Sequence, residues 1–252
     1  MYCQFNLTGK TILVTGASSG IGKATAIYIN RLGAKVVMIA RNEEKLKDIV
    51  KQTKDSNISY YLSDLKKIET IEKLVDNIVS REGKLNGFVH CAGIQEMRPL
   101  QVLKYNNIHD IMLLNFYAFV ELSRCISKKT NYNLGASFVA VSSVASLHGE
   151  KSEVAYCASK SALDGSIRAL AKELAVKKIR VNSVLPGFIN TEMLTEYISF
   201  VGRDEFEKNI IRTQYLGLGE TQDIANIIAF LLSDASRFIT GTGLIADGGY
   251  LT

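Results

Sequence analysis

A single doubly wound α/β domain with a mainly parallel seven-stranded sheet is the fold class that this sequence predicts. Three observations carry it. Short apolar, strand-like runs alternate with longer segments of helical period almost from end to end, the rhythm of parallel strands joined by crossover helices. A glycine-rich turn follows the first of those strands and opens a helix. No Pro/Ser-rich linker, charge run or internal repeat divides the 252 residues, so residues 1–252 read as one unit.

Thr11 to Thr15 is the first strand, entered almost at once from Met1 to Lys10, a stretch without a charged-then-apolar signal pattern. The next helix runs from about Gly20 to Leu32 and stops at Gly33, and Lys35 to Ala40 is the second strand. Glu43 to Thr53 reads as helix and Ile58 to Leu62 as the third strand. A helix from Ile68 to Arg81 leads to a fourth strand at Gly87 to Cys91, and one from Asn107 to Ser127 leads to a fifth at Ser137 to Ser142. Val154 to Val176 is helical ahead of a sixth strand at Arg180 to Leu185; Thr221 to Leu232 and Gly243 to Ala246 supply the last helix and the seventh strand. The least regular segment, 187–219, mixes Phe188, Met193, Leu194, Tyr197, Phe200 and Phe206 with charged residues, which marks it as a candidate substrate lid.

Composition narrows the function classes. At 47% hydrophobic and 22% charged, with 2 Pro, the chain is neither disordered nor collagen-like. No apolar run approaches the roughly 18 residues of a membrane span, so a cytoplasmic protein without membrane contact is expected. Cys3, Cys91, Cys125 and Cys157 are widely spaced, form no C-x-x-C pair and join no histidine at zinc-ligand spacing, so they read as reduced thiols and no metal site is expected. The net charge of +5 suits an anionic ligand but is spread along the chain, and no basic stripe or reading motif points to nucleic acid.

The stretch Tyr156-Cys157-Ala158-Ser159-Lys160 places a phenol and an ammonium one helical turn apart, with Ser143 thirteen residues upstream. A free tyrosine titrates near about 10, and a neighbouring cation stabilises phenolate, so Lys160 is expected to move Tyr156 toward physiological pH, where proton transfer becomes efficient. A surface Tyr and Lys that happen to be neighbours is the bland alternative. The pair gains meaning only if a substrate site is built around it.

The turn after the first strand, Gly16-Ala17-Ser18-Ser19-Gly20-Ile21-Gly22, offers backbone amides at a helix N-terminus, which bind a pyrophosphate. Gly16 permits the turn, Gly20 lets a phosphate approach and Gly22 lets the helix pack closely. At the end of the second strand an acid would hydrogen-bond the ribose hydroxyls and favour NAD(H); Ala40-Arg41-Asn42 has none. Arg41 instead offers a planar guanidinium to a 2′-phosphate, so NADP(H) is the expected cofactor, unless Arg41 rests in solvent or stacks on adenine. Asp64, after the third strand, either binds the adenine amino group or closes a turn.

With the glycine turn, Asn115, Ser143, Tyr156 and Lys160 in this order, the sequence resembles the short-chain dehydrogenase/reductase family and is similar to its 3-oxoacyl-acyl carrier protein reductases and sugar or polyol dehydrogenases. The resemblance runs from Thr11 through Ala92-Gly93 and Asn182 to Gly187 as far as Thr240-Gly241 and Asp247-Gly248-Gly249. It implies a Rossmann-type domain in which Ser143 holds the substrate oxygen, Tyr156 gives or takes its proton, Lys160 binds the nicotinamide ribose and lowers the tyrosine pKa, and Asn115 fixes a water. It also implies that Ala92-Gly93 let the cofactor approach, that Pro186-Gly187 lie beside the nicotinamide, and that Thr191 binds its carboxamide. Ser142, adjacent to Ser143, is the competing assignment; the thirteen-residue spacing favours Ser143.

Two departures bear on function. Where the family usually has Asn-Asn-Ala-Gly, this chain has His90-Cys91-Ala92-Gly93, and His90 reads as a structural residue at a strand end. The segment 128–135 lacks the arginine typical of carrier-protein reductases, although Lys177 can supply part of a basic docking surface, so an acyl carrier protein partner is doubtful. The expected function is therefore NADPH-dependent reduction of a carbonyl, with an acyl-thioester substrate first and a sugar, polyol or other small-molecule alcohol second. Nucleotide-sugar epimerases and a non-catalytic dinucleotide-sensing regulator are the other classes; the former carry a different glycine spacing, and a sensor has no need of the proton-transfer residues. The resemblance also implies a homotetramer paired through the helices at 107–127 and 154–176.

Overall fold

The computed structural model describes residues 5–53 and 57–252, with side chains described throughout except at 209–211. Cys3, expected as a free thiol, lies outside the described residues; Cys91, Cys125 and Cys157 are free. Strands β1 (Thr11–Thr15), β2 (Lys35–Ala40), β3 (Ile58–Leu62), β4 (Leu85–His90), β5 (Tyr132–Val141), β6 (Arg180–Pro186) and β7 (Gly243–Ala246) form one sheet in the order β3-β2-β1-β4-β5-β6-β7. Every pairing is parallel. The mainly parallel sheet of the sequence reading is thus parallel throughout.

Parallel neighbours need crossovers, and the helices supply them on both faces. Helices α1 (Gly20–Arg31), α2 (Glu43–Thr53) and α9 (Thr221–Leu232) bury Ala26, Ile29, Leu46, Ile49, Ile224 and Ile228 against one face. Helices α3 (Ile71–Glu82), α5 (Ala118–Ile126) and α6 (Val154–Leu174) cover the other. Strand side chains alternate between the two: Ile12 and Val14 face the first layer, Leu13 the second. Phe88 of β4 lies 5.8 Å from Phe119 of α5 and 5.7 Å from Phe138 of β5, centroid to centroid, which locks the strand that ends at His90. Truncating such a ring costs about 3–5 kcal/mol.

Strand order reverses between β1 and β4, whose connections leave to opposite faces, and this opens a crevice beyond their carboxyl ends. Three differences from the sequence reading lie around that crevice. The helix expected over 107–127 is instead α4 (Tyr105–Met112), a π-helical turn (Leu113–Tyr117) and α5, with Asn115 inside the turn. β4 starts two residues earlier than expected and stops at His90, leaving Cys91 in the following loop. Segment 187–219 is far from irregular: it holds α7 (Glu192–Val201) and α8 (Arg203–Thr213), where Leu194 and Phe206 pack with Phe188, Tyr197, Ile198 and Val201 in a small core of their own. Its two stems are joined where Asn190 N–H donates to Gly219 O and Gly219 N–H to Phe188 O, at 2.8 and 3.1 Å. Among the described residues no helix is long and apolar enough to cross a membrane.

Candidate active site

A cleft of about 470 Å³ occupies the crevice, and every residue predicted for the site lines it except Asn115. Its first half is built by the β1–α1 turn. Gly16 has φ +64°, and a Cβ there would stand 2.7 Å from Ala92 N, so the turn and the β4 loop touch backbone to backbone. A Cβ on Gly22 would stand 2.2 Å from Gly16 O, which holds α1 tightly against the turn. Ser19 occupies the N-cap position without a side-chain capping bond, and the first turn of α1 carries no acid. The amides that begin α1 therefore face the cleft with the positive end of the helix dipole.

At the far end of this half, Arg41 is exposed, lines the cleft and is unpaired among the described residues. Asp64 lines it too, but its Oδ1 accepts the Lys66 N–H at 3.1 Å, so one oxygen closes a turn. Thr191 caps α7: its hydroxyl accepts from Leu194 N–H at 3.3 Å and donates to Ile189 O at 3.2 Å. An uncapped helix end, a glycine cradle that side chains would fill and a free guanidinium fit a dinucleotide carrying a 2′-phosphate.

The second half centres on Tyr156, Lys160 and Ser143. Ser143 stands near enough to the Tyr156 phenol to favour its ionised form, and its hydroxyl accepts the Ala145 N–H at 3.1 Å. Ser142, the competing serine, turns away: its hydroxyl donates to Asp164 Oδ2 at 2.9 Å, while Ser183 donates to Asp164 Oδ1 at 2.7 Å. Lys160 Nζ lies 5.6 Å from the Tyr156 ring centre and donates to Val141 O at 2.8 Å.

The electrostatics differ in sign from the expectation. Burial dominates at Tyr156 and raises its pKa, the Ser143 hydrogen bond opposes this, and the Glu153 carboxylate adds to the rise. Lys160 is itself pushed down to about 8, by burial first, with Asp164 pulling the other way. In the protein alone the expected lowering of Tyr156 by Lys160 is therefore not seen: desolvation is the largest influence on both groups, and it raises Tyr156 and lowers Lys160.

Asn115 does not reach the cleft. Its Nδ2 donates to Ile94 O at 2.9 Å and to Ser159 Oγ at 3.0 Å, and its Oδ1 accepts Ile94 N–H at 2.9 Å. Both amide hydrogens are engaged within the fold, so the side chain ties the β4 loop to α6. The π-helical turn fits this demand, since an extra residue per turn is how a helix accommodates an inserted local contact.

Residues 16–251 match the family model described as Enoyl-(Acyl carrier protein) reductase. The chain belongs to the short-chain dehydrogenase/reductase family. It is 35% identical over 248 residues to the 3-oxoacyl-(acyl-carrier-protein) reductase of Rickettsia felis, covering 98% of this chain and 99% of that one. It is 31% identical over 252 residues to the L-xylulose reductase of Caenorhabditis elegans, covering 99% of each. Among solved structures it is similar to a short-chain type dehydrogenase/reductase from Mycobacterium ulcerans, with TM-score 0.90 and 31% identity over 98% of this chain and 91% of that one. A dehydrogenase/reductase from Sinorhizobium meliloti 1021 gives TM-score 0.90 and 30% identity over 99% and 98%. Members of this short-chain dehydrogenase/reductase family are oxidoreductases, and this chain is one.

The departure at His90 now has a structural account. His90 is buried; its Nε2 lies 3.1 Å from Leu114 O and its Nδ1 3.0 Å from Thr15 Oγ1. A carbonyl only accepts, so Nε2 carries the hydrogen, and Nδ1 accepts from the Thr15 hydroxyl, which in turn accepts Ala92 N–H at 3.2 Å. The chain ties the π-turn to the cofactor loop, and burial lowers the imidazole pKa to about 3.

Of the wall beyond Tyr156, sequence reasoning named only Phe188 and Tyr197, within segment 187–219, and missed the polar residues. Gln95, His148, Glu150, Glu153, Phe188 and Tyr197 line it, and Glu153 is only 2% exposed. Most of these sit in loops without a motif; the one available signal was Glu153, three residues before Tyr156 and so one turn along the same helical edge. Also missed was Gln214, buried near the end of segment 187–219, whose Oε1 accepts Phe188 N–H at 2.8 Å and whose Nε2 donates to Phe188 O at 2.9 Å.

Proposed function

We propose that this chain reduces a ketone to a secondary alcohol with NADPH. The observation that carries the reading is the meeting of Ser143, Tyr156 and Lys160 in one cleft with the uncapped start of α1. The dinucleotide supplies the hydride. Ser143 would hold the ketone oxygen, Tyr156 would donate the proton to it, and Lys160 would hydrogen-bond a ribose hydroxyl of the bound cofactor. The amides from Ser18 to Gly22 bind the pyrophosphate and Arg41 the 2′-phosphate. Helices α7 and α8 act as the lid, with Gln214 fixing its root.

A 3-oxoacyl thioester is the substrate that the reductase relatives favour. A sugar or polyol substrate is the second reading, favoured by the polar wall of Gln95, Glu150 and Glu153. Docking of an acyl carrier protein gains little support, because Lys128 is paired with Glu72 and Lys177 donates to Ser127 O at 3.0 Å. A homotetramer belongs to the same proposal, supported by exposed apolar side chains such as Phe238 and Ile245 beside the sheet edge.

The test is initial rates with NADPH and NADH across 3-oxoacyl thioesters, sugars and simple ketones, for the wild type and Tyr156→Phe. Turnover that prefers NADPH and drops at least about 100-fold in Tyr156→Phe is expected for loss of a general acid. Cofactor binding with no turnover of any ketone would sink the proposal and favour a dinucleotide sensor.

A further inference from the structure

The wall beyond Tyr156 is unusual in its charge. Glu150 and Glu153 line it, and neither has a lysine or arginine partner among the described residues. Glu150 Oε1 takes the Tyr250 hydroxyl and stands 3.5 Å from His148 Nε2. Glu153 receives one hydrogen bond, from Gln95 Nε2, although it is almost wholly buried. A carboxyl group offers about four acceptor positions when ionised, and a donor besides when protonated, so one bond from Gln95 leaves capacity for a ligand in the cleft that Glu153 lines.

A buried carboxyl group with no cation and one amide contact is costly unless it serves a ligand. Burial pushes Glu153 up to about 7, with Glu150 adding to the rise and Gln95 opposing it. Near neutrality it is therefore present both as a hydrogen-bond donor and as an acceptor. It raises the pKa of both Tyr156 and Tyr197, which line the same cleft.

We propose that Glu153 selects the substrate: its carboxyl group hydrogen-bonds a second oxygen of an uncharged ketone, one or two carbons from the reacting carbonyl, and with Glu150 it rejects ketones bearing a carboxylate there. The inference rests on the ketone reduction proposed above. Two sources share this chemistry. In a 3-oxoacyl thioester the second oxygen is the thioester carbonyl, which accepts; in a hydroxy-ketone it is a hydroxyl, which donates or accepts.

The experiment measures kcat/KM with NADPH for wild type, Glu153→Leu and Glu153→Gln. The ketones are S-acetoacetyl-N-acetylcysteamine, ethyl acetoacetate, hydroxyacetone, 2-pentanone and acetoacetate. The readout is each ketone's kcat/KM divided by that of 2-pentanone, which cancels any effect that Glu153 exerts through Tyr156. In Glu153→Leu the ratio for the thioester, for hydroxyacetone or for both should fall roughly ten- to hundredfold, the loss of a hydrogen bond to a buried group. Whichever ratio collapses names the source. Glu153→Gln, which still offers an amide, should keep those ratios within about threefold of wild type, and it should raise the ratio of acetoacetate to ethyl acetoacetate at least about tenfold.

Both ratios staying within about threefold in Glu153→Leu would overturn the inference, as would a wild type that reduces acetoacetate as well as its ethyl ester. A wild type that binds NADPH but reduces none of the ketones refutes the proposed reaction, and this inference with it. Turnover by variants that do not discriminate refutes the inference alone.

Discussion

Replacing His90 by asparagine, the residue usual in the family, makes the most quantitative prediction. His90 bridges Leu114 O and Thr15, and the shorter amide loses at least one of these bonds, which costs about 1–3 kcal/mol at pH 8. The second effect depends on pH. The buried imidazole titrates at about 3 in the fold and near 6.5 when unfolded, so between these values the unfolded chain binds a proton that the native state does not. Stability contributed by neutral His90 is complete above about 6.5 and is lost as pH falls toward 3, with a slope of about 1.4 kcal/mol per pH unit. From pH 8 to 4.5 the wild type should lose about 2.7 kcal/mol that His90→Asn does not, so the two become nearly equal, or the variant becomes the more stable, at the acid end. Glu153, raised to about 7, runs the other way: its contribution is present below about 4.5 and lost as pH rises through 7. Only the difference between the two proteins therefore isolates His90. Urea unfolding at fixed protein concentration across this range measures it. A difference constant to within about 0.5 kcal/mol would refute the buried, neutral histidine.

Two further predictions concern the cofactor half. Arg41→Ala should raise KM for NADPH about 10- to 100-fold and change KM for NADH less than about threefold, as loss of a charge-assisted contact to a 2′-phosphate requires; equal effects on both would place Arg41 elsewhere. Gly22→Ala sets a methyl group 2.2 Å from Gly16 O, so α1 must move off the turn, and NADPH binding measured by fluorescence titration should weaken at least about tenfold.

What was legible in the sequence follows the physics of short range. Strand and helix bounds such as 11–15, 35–40 and 221–232 came through because apolar period and glycine stops are local signals. The glycine turn and the Ser143, Tyr156, Lys160 set were legible because backbone approach and helical spacing fix residue type and separation together. The π-turn at Asn115 was not, since it depends on a contact with Ile94, twenty-one residues away, that no local pattern encodes. Helices α7 and α8 were obscured for another reason. Their apolar residues form a separate small core rather than facing the sheet, so their pattern is short and is broken at Gly202. Gln95 and Glu153 meet only through tertiary structure, and so do Ser142 and Asp164, a contact that agrees with the preference for Ser143 read from spacing.

The reversal at Tyr156 changes how the proton-transfer pair is understood. A four-residue spacing suggests a cation beside a phenol, but the same helix buries both, and burial penalises both charges. Lys160 at about 8 stays mostly protonated at neutral pH because Asp164, held by Ser142 and Ser183, partly offsets its desolvation. Tyr156 meanwhile retains its proton, held there by burial and by Glu153, with Ser143 the group that opposes this. The chain by itself thus keeps the phenol protonated and makes it a weaker acid than a free tyrosine, so efficient proton transfer from it calls for charge or polarity that the cleft gains with its ligands. Glu153, by adding negative charge near Tyr156 when ionised, couples the proposed proton donor to the residue proposed to choose the substrate.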